Sequence, residues 1–141
     1  MKICIPRETI SSAAAQAAVE AAVAHGRSLG KAVVATVTDP GGDLMACLRA
    51  DGAYAASIGI ARDKAYTAAV FGVASDDLGK ALSGNELLRD GIALRPGVVL
   101  FGGGVPIFVN GHVVGAIGVS GGSEDDDRAC AKAGVAALRP G

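Results

Sequence analysis

With 141 residues the chain has the size of one domain and can bury roughly 70% of its extended surface, so a single core suffices. Its 13 basic and 14 acidic residues give a formal charge of -1 with no Lys/Arg cluster, which excludes the basic stripe that a phosphate backbone requires and makes nucleic acid an unexpected partner. Half the residues are hydrophobic, many of them alanine, and 21 are glycine, so close packing of small side chains is expected.

Cys4, Cys47 and Cys130 are far apart, odd in number and without C-x-x-C spacing, which argues against a disulfide framework or zinc knuckle and for a reducing compartment. The opening MKICIPRETI lacks the apolar core of a secretory signal, so the cytoplasm is expected, a mature form that has lost its leader being the alternative. The apolar stretch 98–119 is interrupted by Pro106, Asn110, His112 and several glycines; it reads as strands, and no membrane span is expected.

In chain order, Thr9 is placed to cap an Ala-rich helix over 10–29, with Gly26 and Gly30 at its fraying end. A β-branched run over 32–38 leads through Asp39-Pro40-Gly41-Gly42 into a second strand over 43–48, which makes a hairpin. A helix follows over 56–73, then a short one opened by Ser75-Asp76-Asp77 and ending near 82, with 83–97 irregular. Two strands, 98–101 and 105–109, flank Gly102-Gly103-Gly104, and Asn110-Gly111 turns the chain into a fifth strand over 112–119. Ser123 caps a last helix reaching about 138, its first turn Glu124-Asp125-Asp126-Asp127 complementing the helix dipole.

The predicted order is αββααβββα, one α/β (α+β) domain over 1–141 with a five-stranded, mostly antiparallel sheet and helices packed on it. Across the Asn110-Gly111 turn Val109 faces His112, which puts Val105, Ile107, Val114 and Ala116 on one face and Phe108, Val113 and Ile117 on the other. Both faces are apolar, so another helix or another subunit must cover the second, and a homo-oligomer is expected.

Five segments, VTDPGGDL (37–44), the R-x-D of Arg49 and Asp51, ASIGIARDKAYTA (56–68), FGGGVPI (101–107) and GHVVGAIGVSGG (111–122), together resemble the GlcG/HbpS family over roughly residues 9–138. The resemblance implies a profilin-like fold with a central five-stranded antiparallel sheet, and assembly into higher homo-oligomers, tetramer to octamer. Functionally the family is mixed. It includes a haem-binding and haem-degrading redox sensor, the C-terminal domain of PduO-type corrinoid adenosyltransferases, and proteins encoded with glycolate or aromatic catabolism.

Lys64 shares a helical stripe with Ile60, Thr67 and Phe71, where apolar neighbours could turn its amine into a nucleophile or base, or leave an ammonium to pair with a carboxylate such as a haem propionate; the bland alternative is a snorkelling lysine at an oligomer contact. Arg49 suits a bidentate grip on a carboxylate, with Asp51 to orient it or act as a base, unless the two merely brace a turn. Asp39 opens the first hairpin turn, where its carboxylate is expected to accept from amides two residues on. The Gly102-Gly103-Gly104-Val105-Pro106 segment could bring backbone amides close to a ligand or could be a sharp connection. His25, in the last turn of the first helix, could ligate haem iron, and some haem-binding relatives use a first-helix histidine; His112 flanks a turn and is expected in solvent.

Three readings follow. The first is a homo-oligomeric haem-binding protein, with haem-degrading or haem-sensing action among its forms, iron held from a shallow apolar site and propionates held by Arg49 or Lys64. The second is a small catabolic lyase, isomerase or hydrolase acting on a small carboxylate, with Lys64, Asp51 or Asp39 moving the proton and Arg49, Thr67, Gly102, Gly103, Gly104 and Pro106 lining the site. The third is a non-catalytic accessory module whose apolar sheet face serves assembly.

Overall fold

A computed structural model describes residues 1–139. Its elements run α1 (Ser12–Ser28), β1 (Val34–Thr38), β2 (Leu44–Arg49), α2 (Ala56–Phe71), α3 (Ser75–Leu82), α4 (Glu86–Ala93), β3 (Gly104–Val109), β4 (His112–Ser120) and α5 (Glu124–Ala136). The strands form an antiparallel sheet in the order β2-β1-β4-β3. Among the described residues no helix is long and apolar enough to cross a membrane.

Local chemistry explains most of these boundaries. The first helix starts later than expected, because Ser11 and not Thr9 is the cap: the Ser11 hydroxyl accepts from Ala14 N at 3.1 Å. Ser123 opens α5 with a full capping box, its hydroxyl accepting from Asp126 N while the Asp126 carboxylate accepts from Ser123 N. Asn110 and Gly111 both take positive φ, 50° and 79°, which a two-residue turn matched to strand twist demands.

Two expectations are corrected. The sheet has four strands and not five, because residues 98–101 give their amides elsewhere: Val98 N donates to Arg95 O and Val99 N to Thr67 Oγ1. The segment expected to be irregular contains α4, capped by Asn85, whose side chain accepts from Leu88 N at 3.0 Å.

The core divides by face. On one side α1 and α5 bury Val19, Val23, Val37, Ile107, Ile117 and Cys130 with their neighbours. On the other α2 lies across β4, β1 and β3, so of the two covers expected for the second apolar face, a helix or a subunit, a helix of the same chain supplies it over these three strands. Ile117 lies on the α1/α5 side with Val105 and Ile107, contrary to simple alternation, because a register shift passes over Val114 between the pairs Phe108↔Val113 and Ile107↔Gly115. The Val114 carbonyl is taken by Ile10 N at 2.8 Å, so the bulge sits where the chain enters α1.

Candidate functional site

One end of the sheet collects most of the chemistry. Val34 there pairs with Arg49 on one side and Ser120 on the other. Chain connectivity brings to this end the last turn of α1 with His25, the first turns of α2 and α5, and the glycine loop that precedes β3.

Lys64 projects from the middle of α2 toward that end, as helix side chains lean toward the N-terminus. It is 2% exposed, and its Nζ donates to Val119 O at 2.9 Å and to Asp127 Oδ2 at 3.0 Å, with the Phe101 ring centroid 5.2 Å away. Gly103, at φ +125°, makes room for it: a Cβ there would stand 2.7 Å from Nζ. Asp127 also accepts from Gly122 N at 2.9 Å through its second oxygen; burial pushes its carboxyl up, against the opposing pull of that amide and of Lys64. The ammonium is thus committed to an ion pair that ties α2 to α5 around the end of β3.

The surrounding loop is pinned in the same way. Ser75 Oγ donates to Phe101 O at 2.6 Å and accepts from Gly104 N at 3.0 Å, while Glu124 Oε1 accepts from Gly102 N at 2.7 Å. Arg128 holds Asp76 (3.0 Å), Glu124 (3.2 Å) and Asp125 (2.7 Å), binding α3 to α5. Thr67, fully buried, shares its proton between Asp63 O (2.8 Å) and Gly97 O (2.9 Å), and accepts from Val99 N. Every acid in the first turn of α5 is thereby engaged, since Glu124 and Asp125 face Arg128, Asp126 caps, and Asp127 meets Lys64. The Ser123 amide and hydroxyl hold the Asp126 carboxyl below its ordinary range.

The structure separates the other expected residues. Arg49 donates from Nε and Nη2 to Ala53 O, at 3.1 and 2.7 Å, and makes no ion pair with Asp51, which is exposed. Asp39 lies beyond the opposite end of β1, one strand away from Arg49 and Asp51, and its Oδ1 accepts from Gly41 N (2.9 Å) and Asp43 N (3.0 Å), the turn-bracing role expected of it. Pro106 is buried in β3 opposite Ala116. His25 is half-buried at the end of α1, and His112 is exposed. Lys64, Gly102, Gly103 and Gly104 do come together, and Thr67 anchors the segment leading to them; Asp39 does not join them.

Sequence reasoning missed Asp127, Ser75, Glu124 and Arg128 as partners of this loop. Asp127 stands 63 positions from Lys64 and reads, by itself, as one more helix-dipole acid. Only the folded arrangement shows that it is buried.

Tests of a haem at this end turn on donors and surface. Among the described residues no cluster of three or more His, Cys, Asp or Glu side chains could hold a metal ion; a haem iron, already held by its porphyrin, asks the protein for an axial group only. His25 supplies an imidazole there, Arg49 an exposed guanidinium with donors to spare, and Tyr54 and Phe101 exposed rings. These residues share one end of the sheet and are of the types that hold a haem, an imidazole for iron, a guanidinium for a propionate and aromatic rings for the porphyrin. Lys64 is not among them, because its ammonium is enclosed.

An antiparallel sheet between two helical layers, with a glycine loop locked over a buried Lys–Asp pair, defines a compact class of α/β domain. The family described as haem degrading protein HbpS-like matches residues 10–136, and the chain belongs to it. A 15.0 kDa uncharacterised protein from the dhaT-dhaS intergenic region of Citrobacter freundii is 36% identical over 125 residues, 88% of each chain. The corrinoid adenosyltransferase PduO of Salmonella typhimurium is 33% identical over 127 residues, 86% of this chain and 36% of that protein, so the likeness spans about a third of the enzyme. Among solved structures, a double mutant of Streptomyces reticuli HbpS superposes with a TM-score of 0.88 at 33% identity, covering 97% of this chain and 92% of that one. The PduOC:haem complex superposes with a TM-score of 0.85 at 30% identity, covering 94% and 97%.

Proposed function

We propose that this chain is a homo-oligomeric haem-binding protein, with the haem lodged where copies meet. The observation that carries the reading is the likeness, over nearly the whole of both chains, to a domain whose crystals hold haem. His25 is the proposed iron ligand, Arg49 the propionate partner, and Tyr54 and Phe101 the ring contacts. Bound haem would supply an iron centre able to take a further ligand, and the chain's own part is to hold it, shield it and fix its orientation.

The need for several copies follows from exposure. One wall does not enclose a porphyrin, since small-molecule sites bury most of their ligand. On the far flank α4 has no buried residue, although Leu87 is 87% exposed and Leu88 and Leu94 lie beside it; such a helix is covered when a second copy packs on it. The enzymatic alternative draws less support, because Lys64 is enclosed and Asp39 lies at the other end of the sheet.

Haemin titration tests the reading. The wild type is expected to shift the Soret band at micromolar haemin, His25→Ala to lose that shift, and Arg49→Ala to weaken binding while keeping the ligated spectrum. An unchanged spectrum in the wild type, or a His25→Ala spectrum identical to the ligated wild type, would contradict the reading or the ligand respectively.

A further inference from the structure

We propose that two copies of the chain join through β2, each pairing its free strand edge antiparallel with the other's, so that the two four-stranded sheets become one. The inference rests on the homo-oligomer reading and names the surface through which copies meet.

The two edges of the sheet differ in chemistry. At the β3 edge, Val119 N donates to Gly103 O, so in the alternating ladder of β3 and β4 the backbone groups of Gly104 and Pro106 point outward. That edge is closed: Ser75 Oγ takes the Gly104 amide at 3.0 Å, and Pro106 has no N–H to offer. At the β2 edge, Ala50 N donates to Val33 O, which makes Val34↔Arg49 and Thr36↔Cys47 the pairs without mutual backbone bonds. The contact of Thr36 Oγ1 with Cys47 Sγ at 3.4 Å fits that closer kind of pair. The N–H and C=O groups of Cys47 and Arg49 therefore point away from β1, toward a side on which, among the described residues, no strand follows.

Nothing in β2 guards this edge as Pro106 and Ser75 guard the other. The strand has six residues, no proline and a single charge, Arg49 at its end, and Leu44, Cys47 and Arg49 are exposed. Its bulge lies opposite the Val37/Thr38 step, so residues 46–49 stay regular. A row of outward donors and acceptors at this spacing is matched group for group by another extended strand.

A second copy suits the edge because antiparallel pairing of a strand with itself is self-complementary, and the twofold relation is a consequence of the pairing. With the stretch 46–49 paired to itself and outward groups facing outward groups, Cys47 stands opposite either its own counterpart or Arg49 of the other copy. Neither register sets Arg49 against Arg49, so the one charge on the strand meets no like charge. Arg49 shares a face with its partner Val34, which packs with Ala61 of α2. Since α2 lies over β4, β1 and β3, the joined β2 strands floor a trough between the two α2 helices, with Arg49 of both copies on it. The proposed propionate partner thus stands where copies meet.

Thiol cross-linking of the full chain tests the pairing. In Cys4→Ser, with Cys130 buried, the two Cys47 Cα atoms are expected about 5.5–8 Å apart, and a short bis-maleimide to give a covalent dimer as the main product. With the thiol moved to the start of the strand, in Cys4→Ser, Cys47→Ser, Leu44→Cys, the counterparts stand roughly 20 Å apart or more, and the dimer yield is expected to fall several-fold. Cys47→Pro removes an outward N–H that makes no bond to β1 and is expected to weaken association in sedimentation about tenfold or more, two hydrogen bonds being lost per contact. An oligomer that does not cross-link at Cys47, that cross-links equally at Leu44→Cys, or that holds together as tightly with Cys47→Pro overturns the β2 contact and leaves the oligomer reading standing. A wild-type chain that sediments as one subunit overturns both.

Discussion

Lys64 and Asp127 are two opposite charges placed almost out of water, and the physics of such pairs is asymmetric. Removing one partner strands the other in a site too dry for it, whereas replacing both with apolar side chains of similar volume relieves the desolvation cost. Lys64→Met is therefore expected to cost about 3–5 kcal/mol in urea denaturation, and Lys64→Met with Asp127→Leu to recover most of the loss. A single substitution as mild as the double would show that the pair is not the strut described. Cys130, fully buried on α5 and pushed up to about 11 by burial and by the neighbouring Asp127 and Asp126 charges, is protonated at pH 8 and inert. Iodoacetamide at that pH should therefore modify two thiols, Cys4 and Cys47, by intact mass, and all three only after unfolding. At this scale the sequence was partly legible. The apolar stripe singled out Lys64, and the turn pattern gave Asp39 its bracing role, but nothing local marks Asp127 as the one buried acid among four.

Elements were legible where their signals are local. The Asn110-Gly111 turn, the Ser123 cap and the Asp39 turn all stand where their residue types require, because each is decided by atoms within four positions. The strand expected over 98–101 failed because a β-branched run becomes a strand only with a partner, and Thr67 of α2 claims Val99 first. Helix α4 carried a readable signal, Asn85 followed by Glu86 in the first turn, hidden by the glycines around it. The close approach of α2 to β4 gives a sharp expectation. A Cβ on Gly118 would fall on the Ala61 carbonyl oxygen and the Ala65 amide, backbone atoms that cannot swing aside. Gly118→Ala should therefore cost about 1–3 kcal/mol in thermal or urea unfolding, and an unchanged midpoint would mean that the helix rides further from the sheet. On α4, Leu87→Asp combined with Leu94→Ser should leave folding within about 0.5 kcal/mol, since neither residue is buried, while lowering the assembly state in sedimentation.

For the whole molecule, one surface assignment organises the rest. α1 and α5 close one face of the sheet, and α2 covers β4, β1 and β3 on the other, leaving Leu44, Cys47 and Arg49 of the edge strand β2 exposed. Large apolar side chains stay exposed on the α4 flank (Leu87, Leu88, Leu94), on α2 (Ile58, Ile60, Val70, Phe71) and at the end bearing Tyr54 and Phe101, among other places. Assembly would cover the first two, and a ligand held between copies would cover the third. The sequence showed that the second sheet face needs a cover and left helix and subunit open, because the position of α2 is decided only when the chain folds. The claim that the ligand belongs to the assembly is tested most directly by sedimentation velocity of the haemin-loaded protein, recorded at both protein and Soret wavelengths. The two boundaries are expected to coincide at a mass of several subunits; a Soret boundary moving with single subunits, or left behind as free haemin, would contradict it.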